Sequence, residues 1–571
     1  MSDVNFPAVG GGTLTACLRH WAATTPDSPA LTFADFATDR DGRRRTLTWR
    51  QLGECVDAVA GALPVRPGDR VAVLCPQGPD YVVGFLAAIT AGAIAVPLFD
   101  PGLPGHAGRL AAVLADCAPS AVLTTTPRQP AVEEFVGDVA VVAVDRPGPV
   151  RSWPAPEAVP DDVAYLQYTS GSTRTPAGVV LTHANVLANV TQAVRGLGLD
   201  PGASTTVSWL PLFHDMGLVL GLITPLALGL RSVLMDPLAF IERPVRWLEL
   251  LGDYAGAWSA APNFAFHYCA SRIRDAERAR LRLGRVTAIV NGAEPITPAV
   301  LDRFHATFAA AGYTPDKTRP AYGLAEATVF VTTGPAAAPR VTTFDRDALA
   351  TGTARPAADG VRLVACGAPA GQLVALVDPE TAVALPDTSV GEIWVHGPNV
   401  GEGYWQKPLE STETFGARLA GDRGDLPEGP WLRTGDLGLR HDGELYIAGR
   451  IKDLIIVDGR NHYPQDVEAT AASADPAIRP GSVAAFAIEG ADTEAVVVVA
   501  EHRAHPDLAE AAERALVTTV RRLVADAHGL ALRDVLLVPA GRVPRTSSGK
   551  IARAACRDRY LAGDYGKALA R

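Results

Sequence analysis

A chain of 571 residues exceeds what one ordinary core accommodates, so two or more domains are expected. A hydrophobic fraction of 48% with 20% charged residues excludes a disordered chain. The formal charge of −10 argues against a nucleic-acid partner, because phosphate neutralisation needs a basic face.

The N-terminus carries no basic segment ahead of an apolar run, so no signal peptide is expected and a cytoplasmic location is the reading. Apolar β-rich runs then alternate with helical patterns. Val71–Leu74 reads as a strand, Tyr81–Ala91 as a helix, Ile94–Pro97 as a strand, Ala107–Cys117 as a helix and Ala121–Thr124 as a strand. The long apolar stretch Tyr81–Phe99 holds Gly84, Gly92 and Pro97, so it reads as a buried helix and strand rather than a membrane span. Val163–Tyr168, Val207–Leu210, Ser232–Leu234 and Ala288–Asn291 continue the strands, which implies an α/β protein of parallel sheets with helices on both faces. Pro147–Pro160, Gly334–Gly360 and Gly421–Gly429 read as irregular. Past Arg450 the pattern turns to a compact α+β unit, with strands Val483–Ile488 and Ala495–Val499 and a helix Ala509–Ala525. A large domain 1–450 and a small one 451–571 are therefore expected. The small one ends in a locally basic stretch containing Arg542, Arg545, Lys550, Arg553, Arg557 and Arg559, a surface for phosphates or an acidic partner. The seven cysteines are scattered without a Cys-x-x-Cys pair, so reduced thiols are expected and a zinc or redox site is not.

The string most suggestive of chemistry is Tyr168-Thr-Ser-Gly-Ser-Thr-Arg-Thr-Pro-Ala-Gly178, directly after a strand. Glycine lets backbone N–H groups approach an anion, and Ser/Thr hydroxyls add donors. No Gly-x4-Gly-Lys-Ser/Thr loop and no dinucleotide fingerprint occurs, which removes the two commonest nucleotide-binding folds.

This string resembles the phosphate loop of the adenylate-forming superfamily: acyl-CoA synthetases, peptide-synthetase adenylation domains and luciferases. Further matches follow in the family's order: Trp209-Leu-Pro-Leu-Phe-His-Asp-Met-Gly217, Asn291-Gly-Ala-Glu-Pro295 with Ala321-Tyr-Gly-Leu-Ala-Glu326, Trp431-Leu-Arg-Thr-Gly-Asp436, Gly449-Arg-Ile-Lys-Asp453 and Pro544-Arg-Thr-Ser-Ser-Gly-Lys550. The resemblance spans about Leu47 to Arg557. It implies the adenylate-forming enzyme fold, with a large domain of layered sheets and a small mobile cap hinged near Lys452.

The resemblance also implies a reaction: a carboxylate attacks the α-phosphorus of ATP and expels pyrophosphate. Two anions must meet, so charge on the phosphoryl oxygens has to be neutralised and the attacking and leaving oxygens aligned. By the same resemblance Thr169, Ser170, Gly171, Ser172, Thr173 and Arg174 grip the phosphates, and Glu326 with Thr173 holds Mg²⁺, a hard cation that wants oxygen ligands. Tyr322 stacks on adenine. Gly292, Ala293 and Glu294, with Ala321, Gly323, Leu324 and Ala325, pass close to the base. Asp436 accepts from the ribose hydroxyls and Arg450 contacts ribose or phosphate. Lys550 reaches between carboxylate and α-phosphate, while His214, Phe213, Asn263 and Phe264 line the acyl carboxylate and its tunnel.

Within the superfamily three features resemble the fatty acyl-AMP ligases. Ala177 stands where most acyl-CoA synthetases carry Lys. The strings Asp453-Leu-Ile-Ile-Val-Asp-Gly-Arg-Asn-His-Tyr-Pro-Gln-Asp466 and Gly397-Pro-Asn-Val-Gly-Glu-Gly-Tyr404 form the second. Thr333–Gly367 looks like the insertion that packs on the large domain and hampers the turn towards CoA chemistry, anchored by Phe344 and Leu349. The implied substrate is a fatty acid, and the implied acceptor is the phosphopantetheine thiol of an acyl carrier protein. The nearest rival is an acyl-CoA ligase. A scaffold that kept the fold and a membrane-bound acyltransferase are the others.

Overall fold

The computed structural model describes residues 12–102, 107–148, 157–169, 176–200, 204–457, 460–489, 494–503, 505, 508–546 and 550–565. Two large sheets carry the first 400 residues. The nine-stranded sheet runs in the order Ala368–Pro369, Thr332–Thr333, Thr318–Tyr322, Ala288–Gly292, Ala257–Pro262, Thr205–Ser208, Ser232–Met235, Pro29–Asp35, Arg43–Thr48. The seven-stranded sheet runs Gly403–Tyr404, Gly178–Thr182, Val163–Tyr168, Ile94–Pro97, Arg70–Val73, Ala121–Thr124, Ala140–Ala143. The expected parallel pairing holds in the middle of each sheet. The edges depart from it: Arg43–Thr48 and Thr332–Thr333 run antiparallel, and so do Gly178–Thr182 and Gly403–Tyr404. These edge strands are joined by tight hairpins or are only two residues long, and such connections cannot make a parallel crossover.

Local chemistry sets the element ends. The Trp49–Ala62 helix opens on a capping box between Thr48 and Gln51, and His183–Leu197 on one between Thr182 and Asn185. Gly198 ends the latter at φ 64°. The Pro79–Thr90 helix is apolar all round and buried from Tyr81 onward, so it lies within the core, its Phe85 ring 5.7 Å edge-on from Tyr165. Each such fully buried aromatic or Leu/Val side chain contributes about 1.5–3 kcal/mol. Among the described residues no helix is long and apolar enough to cross a membrane.

A third, wholly antiparallel sheet follows: Leu373–Val377, Gly391–His396, Leu432–His441 and Glu444–Arg450. After a single turn of 3₁₀ helix at Ile451–Asp453, the chain builds a separate three-stranded sheet of Ile478–Ile488, Ala495–His502 and Leu532–Val538. Helices Pro464–Ala472 and Glu510–His528 cover it, and a core of its own includes Ile455, Val467, Val498, Val520, Val524 and Leu537.

Three expectations need correction. The strand placed at Val207–Leu210 ends at Ser208; Trp209 and Leu210 open a turn that leads into a π-helix, Met216–Ile223. The stretch Gly334–Gly360 is not irregular throughout. It holds strand Val341–Phe344, paired with Val361–Val364, and a short helix Arg346–Ala350 capped by Asp345. The basic C-terminal stretch is not a free basic face. Arg553 is turned inward onto Glu468 and Asp453, Arg542 donates to the Asp564 carbonyl and Arg545 to Gly481 and Ser482. All seven cysteines are free thiols, and all but Cys55 are buried.

Candidate active site

Parallel strands Thr205–Ser208, Ala257–Pro262, Ala288–Gly292 and Thr318–Tyr322 are neighbours, and the sequence motifs begin at their carboxyl ends. That is where open α/β sheets bind ligands. From the other sheet, strands Val163–Tyr168 and Gly178–Thr182 form the stem of the predicted phosphate loop. Its mouth is closed by the Thr169 N–H donating to the Ala177 carbonyl at 3.2 Å. Arg109 donates to the Thr169 carbonyl and Lys407 to the Pro176 carbonyl. Ser170, Gly171, Ser172, Thr173 and Arg174 lie outside the described residues.

Gly292 ends its strand, buried so closely against Ala321 that an added Cβ would lie 3.0 Å from the Ala321 carbonyl oxygen. Ala293 follows in the left-handed region at φ 65°. Glu294 turns inward and accepts from the Phe264 N–H, so it caps the helix Asn263–Arg272; burial pushes its pKa up. Asn263 is buried and accepts from the Asn291 amide at 3.3 Å. Phe264 packs edge-on to Trp209, and Phe213 edge-on to Phe99.

Tyr322 ends its strand, and Gly323, Leu324 and Ala325 lead into the 3₁₀ turn that carries Glu326. The Tyr322 hydroxyl donates to Asp436 Oδ2 at 2.8 Å, and Arg450 Nε donates to Oδ1 at 2.6 Å. Asp436 and Arg450 face each other across an antiparallel pair. The Asp436 charge holds the Arg450 pKa above its usual range, while burial first and Asp436 second push the Tyr322 hydroxyl far up. Both carboxylate oxygens of Asp436 are thus already gripped, yet each retains a lone pair for a further donor.

Glu326 accepts from the Tyr404 hydroxyl at 2.9 Å, and burial raises its pKa. Among the described residues no group of three His, Cys, Asp or Glu side chains could hold a metal alone. A single buried carboxylate beside a phosphate loop fits Mg²⁺, which keeps waters and takes substrate phosphates as ligands.

His214 Nδ1 lies 2.6 Å from Asp215 Oδ1. Burial would raise the Asp215 pKa, but His214, with help from Lys550, outweighs it and holds the carboxyl low. Lys550 comes from the far C-terminal unit into this same space. Burial lowers its pKa, opposed by the charges of Asp215, Glu294 and Asp436 and reinforced by Arg450. Lys452 is exposed in the 3₁₀ turn between the sheets. The described motif residues therefore converge on one cleft rimmed by three carboxylates and two cations.

Comparison with known proteins agrees. The family model described as AMP-binding enzyme matches residues 18–405, and that of the Disco-interacting protein 2-like AMP domain matches residues 452–568. The long-chain-fatty-acid--AMP ligase FadD26 of Mycobacterium marinum is 45% identical, covering 97% of this chain and 98% of its own. The chain belongs to the AMP-binding enzyme family, on its fatty acyl-AMP ligase branch. Another such relative, FadD32 of Mycolicibacterium smegmatis, is also 45% identical, over 98% of this chain and 96% of its own. A putative fatty-acid--CoA ligase, fadD21 of Mycobacterium leprae, is 43% identical over 95% of this chain and 97% of its own. A solved fatty acyl-adenylate ligase, from a study of the Escherichia coli and Legionella pneumophila enzymes, superposes with a TM-score of 0.86 at 32% identity, covering 97% of this chain and 98% of its own. The Legionella pneumophila ligase in complex with acyl adenylate and pyrophosphate gives 0.74 at 32%, covering 97% of each chain.

For this fatty acyl-AMP ligase, sequence reasoning missed the braces behind the motifs. Asn189 bonds both the N–H and the carbonyl of Phe330, and Asn399 bonds the carbonyls of Ala327 and Phe330. Gln192 joins Asn189 to Asn399. The signal was present: Asn185, Asn189 and Gln192 recur at helical spacing on one face, and that face is buried. Tyr404, the brace on Glu326, closes the quoted string Gly397–Tyr404.

The segment Thr333–Gly367 carries Phe344 and Leu349 into a core with Leu437, Leu439, Tyr446, Ala448 and Tyr463. It also touches the C-terminal unit: Arg346 Nη1 lies 3.1 Å from His528 Nδ1, Arg460 pairs with Asp347, and the Tyr463 hydroxyl donates to the Leu349 carbonyl at 3.5 Å. A polar cavity of about 290 Å³ lies between these groups.

Proposed function

We propose that this enzyme activates a fatty acid as its acyl-adenylate, releasing pyrophosphate, and passes the acyl group to the phosphopantetheine thiol of an acyl carrier protein. The observation that carries the first step is the meeting of Lys550 with the Asp215, Asp436 and Arg450 cleft. A cation brought to the point where two anions must approach stabilises charge that develops only in the transition state. Asp436 and Tyr322 would hold the nucleoside, the loop after Thr169 the phosphates, and Glu326 the Mg²⁺, whose charge offsets that of the phosphates. Phe213, His214, Asn263 and Phe264 would receive the acid. On a division at residues 450 and 451, Lys452 sits where backbone rotation would swing the small unit.

The carrier thiol as acceptor is supported by the two named AMP-ligase relatives and by the braced segment Thr333–Gly367. The basic C-terminal stretch lends no support, since its inner arginines are engaged. The likeness to a relative named as a CoA ligase keeps free CoA as the second reading. Purified enzyme given ATP, Mg²⁺ and a fatty-acid panel should release pyrophosphate only with acid and accumulate a mixed anhydride with AMP; its absence refutes the first step. Holo-carrier protein and CoA offered side by side decide the acceptor.

A further inference from the structure

The turn Trp209–Asp215 springs from the nine-stranded sheet, yet side chains from the seven-stranded sheet hold it. Gln77, after strand Arg70–Val73, donates from Nε2 to the Leu210 and Met235 carbonyls, both at 3.0 Å, and its Oε1 accepts from the Leu212 N–H at 3.0 Å. Gln167, in strand Val163–Tyr168, donates from Nε2 to the Phe213 carbonyl at 3.0 Å. The two amides thus fix Leu210, Leu212 and Phe213, the residues that lead directly to His214 and Asp215. The turn's own constraints are tight at the far end. The His214 N–H donates to the Pro211 carbonyl at 3.1 Å, and a Cβ on Gly217 would lie 2.1 Å from that same oxygen.

Gln167 is only 2% exposed, and its Oε1 meets no hydrogen-bond partner among the described residues. A buried, half-satisfied amide costs on the order of 1–3 kcal/mol, which a methionine of similar volume would not. Stability of the strand alone therefore does not explain a glutamine at this place. It stands two residues before Thr169, the entrance of the phosphate loop. One side chain thus ties the turn of the acid-facing pair to the strand that delivers the phosphate grip.

We propose that Gln77 and Gln167 are positioning residues for acid activation, holding the His214–Asp215 turn of one sheet in fixed register with the phosphate-loop strand of the other. This rests on the reading that the turn faces the acyl carboxylate. A carboxylate and the α-phosphorus must meet within a few tenths of an ångström of alignment, and a misplacement of about 1 Å costs on the order of a hundredfold.

The test uses the full chain with Gln77→Met, Gln167→Met and the double variant, with dodecanoic acid, ATP and Mg²⁺. Each single change should lower kcat for acid-dependent pyrophosphate release by about 10–100-fold. The KM for ATP should stay within about twofold, and the double variant should lose less than the product of the singles, because both amides act on one turn. Hydrogen exchange over residues 209–216 should quicken in every variant with Tm unmoved. A kcat within about threefold of wild type with unchanged exchange, or losses matched by a rising KM for ATP and a falling Tm, overturns the proposal. Exchange reads the positioning whether or not acyl-AMP forms, so an inactive wild type sinks the proposed reaction and leaves this measurement to decide the amides' role.

Discussion

Gly323 stands between the base-facing Tyr322 and Glu326, and a Gly323→Ala change tests how rigidly that turn must be held. The new Cβ would lie 1.6 Å from the Val329 carbonyl oxygen and 3.3 Å from Phe330 Cα. Ordinary contact begins at 3.4 Å, so the shortfall is about 1.8 Å against backbone that cannot rotate away. The far wall is fixed by the Val331 N–H on the Tyr322 carbonyl, by Asn189 on both polar groups of Phe330, and by the Thr328 hydroxyl on the Asn399 carbonyl. The displacement therefore falls on the side carrying Tyr322 and Glu326. A shift of more than about 1 Å in groups that orient ATP should cost on the order of a hundredfold or more in kcat/KM, or about 3 kcal/mol of transition-state binding. Acid-dependent pyrophosphate release measures it, with Gly443→Ala as the control. Gly443 also has φ 77° but has nothing within 4 Å of its would-be Cβ, so alanine there should cost only about 1–2 kcal/mol of backbone strain and leave activity intact. An active Gly323→Ala enzyme, within about fivefold of wild type, would show that the turn relaxes and that the contact argument is wrong.

Lys550→Ala should reduce acid-dependent pyrophosphate release by about a hundredfold or more with Tm unchanged, and a near-normal rate would place the transition-state cation elsewhere. Arg553→Met should destabilise the C-terminal unit by about 3–5 kcal/mol in urea unfolding, because it strands Glu468 and Asp453, held at 2.7 Å and 3.0 Å. A loss below about 1 kcal/mol would mean that water replaces the guanidinium. Asp466→Asn should make stability less pH-dependent. Burial raises the Asp466 pKa to about 6, so the protonated form's stabilisation is full below the unfolded value of 3.8 and lost as pH rises through about 6. The variant should thus match wild type near pH 4 and exceed it by at most about 3 kcal/mol at pH 8, and equal Tm differences at both pH values would refute the assignment.

Much of this was legible because the chemistry is written in short contiguous strings. A strand followed by glycines and hydroxyls, or a lysine after Thr-Ser-Ser-Gly, keeps its meaning without the third dimension. Strands such as Ile94–Pro97 and Ala121–Thr124 were legible to the residue, since they are buried on both faces and bounded by turn residues. The strand placed at Val207–Leu210 slipped because its end is set from outside: Gln77, more than a hundred residues earlier, captures the Leu210 carbonyl that a strand would have used. The short helix and hairpin in Gly334–Gly360 stayed hidden for a similar reason. Four- and five-residue elements carry too little periodicity, and their stability comes from Phe344 and Leu349 docking on distant strands. The basic C-terminal stretch was misread because composition counts charges without their partners, and Arg553 finds two.

Two sets of contacts fix where Lys550 can be. Arg553 joins Glu468 to Asp453, so the turn that presents Lys550 is referenced to the segment beside Lys452. Arg346, Asp347 and Leu349 meet His528, Arg460 and Tyr463, so the C-terminal unit is also referenced to the Thr333–Gly367 segment. The first set lies on the small unit's side of the proposed hinge and survives its rotation; the second crosses between units and must break. Withdrawing Lys550 would therefore expose Tyr463, and Leu349 beneath it, while leaving the Arg553 cluster intact. The energetic difference between the lysine-in state and any thiol-accepting state thus resides in the second set. An acceptor that binds only the rotated state must supply that difference through its own contacts. A carrier protein has a whole docking surface with which to do so, whereas free CoA has only its nucleotide and pantetheine arm.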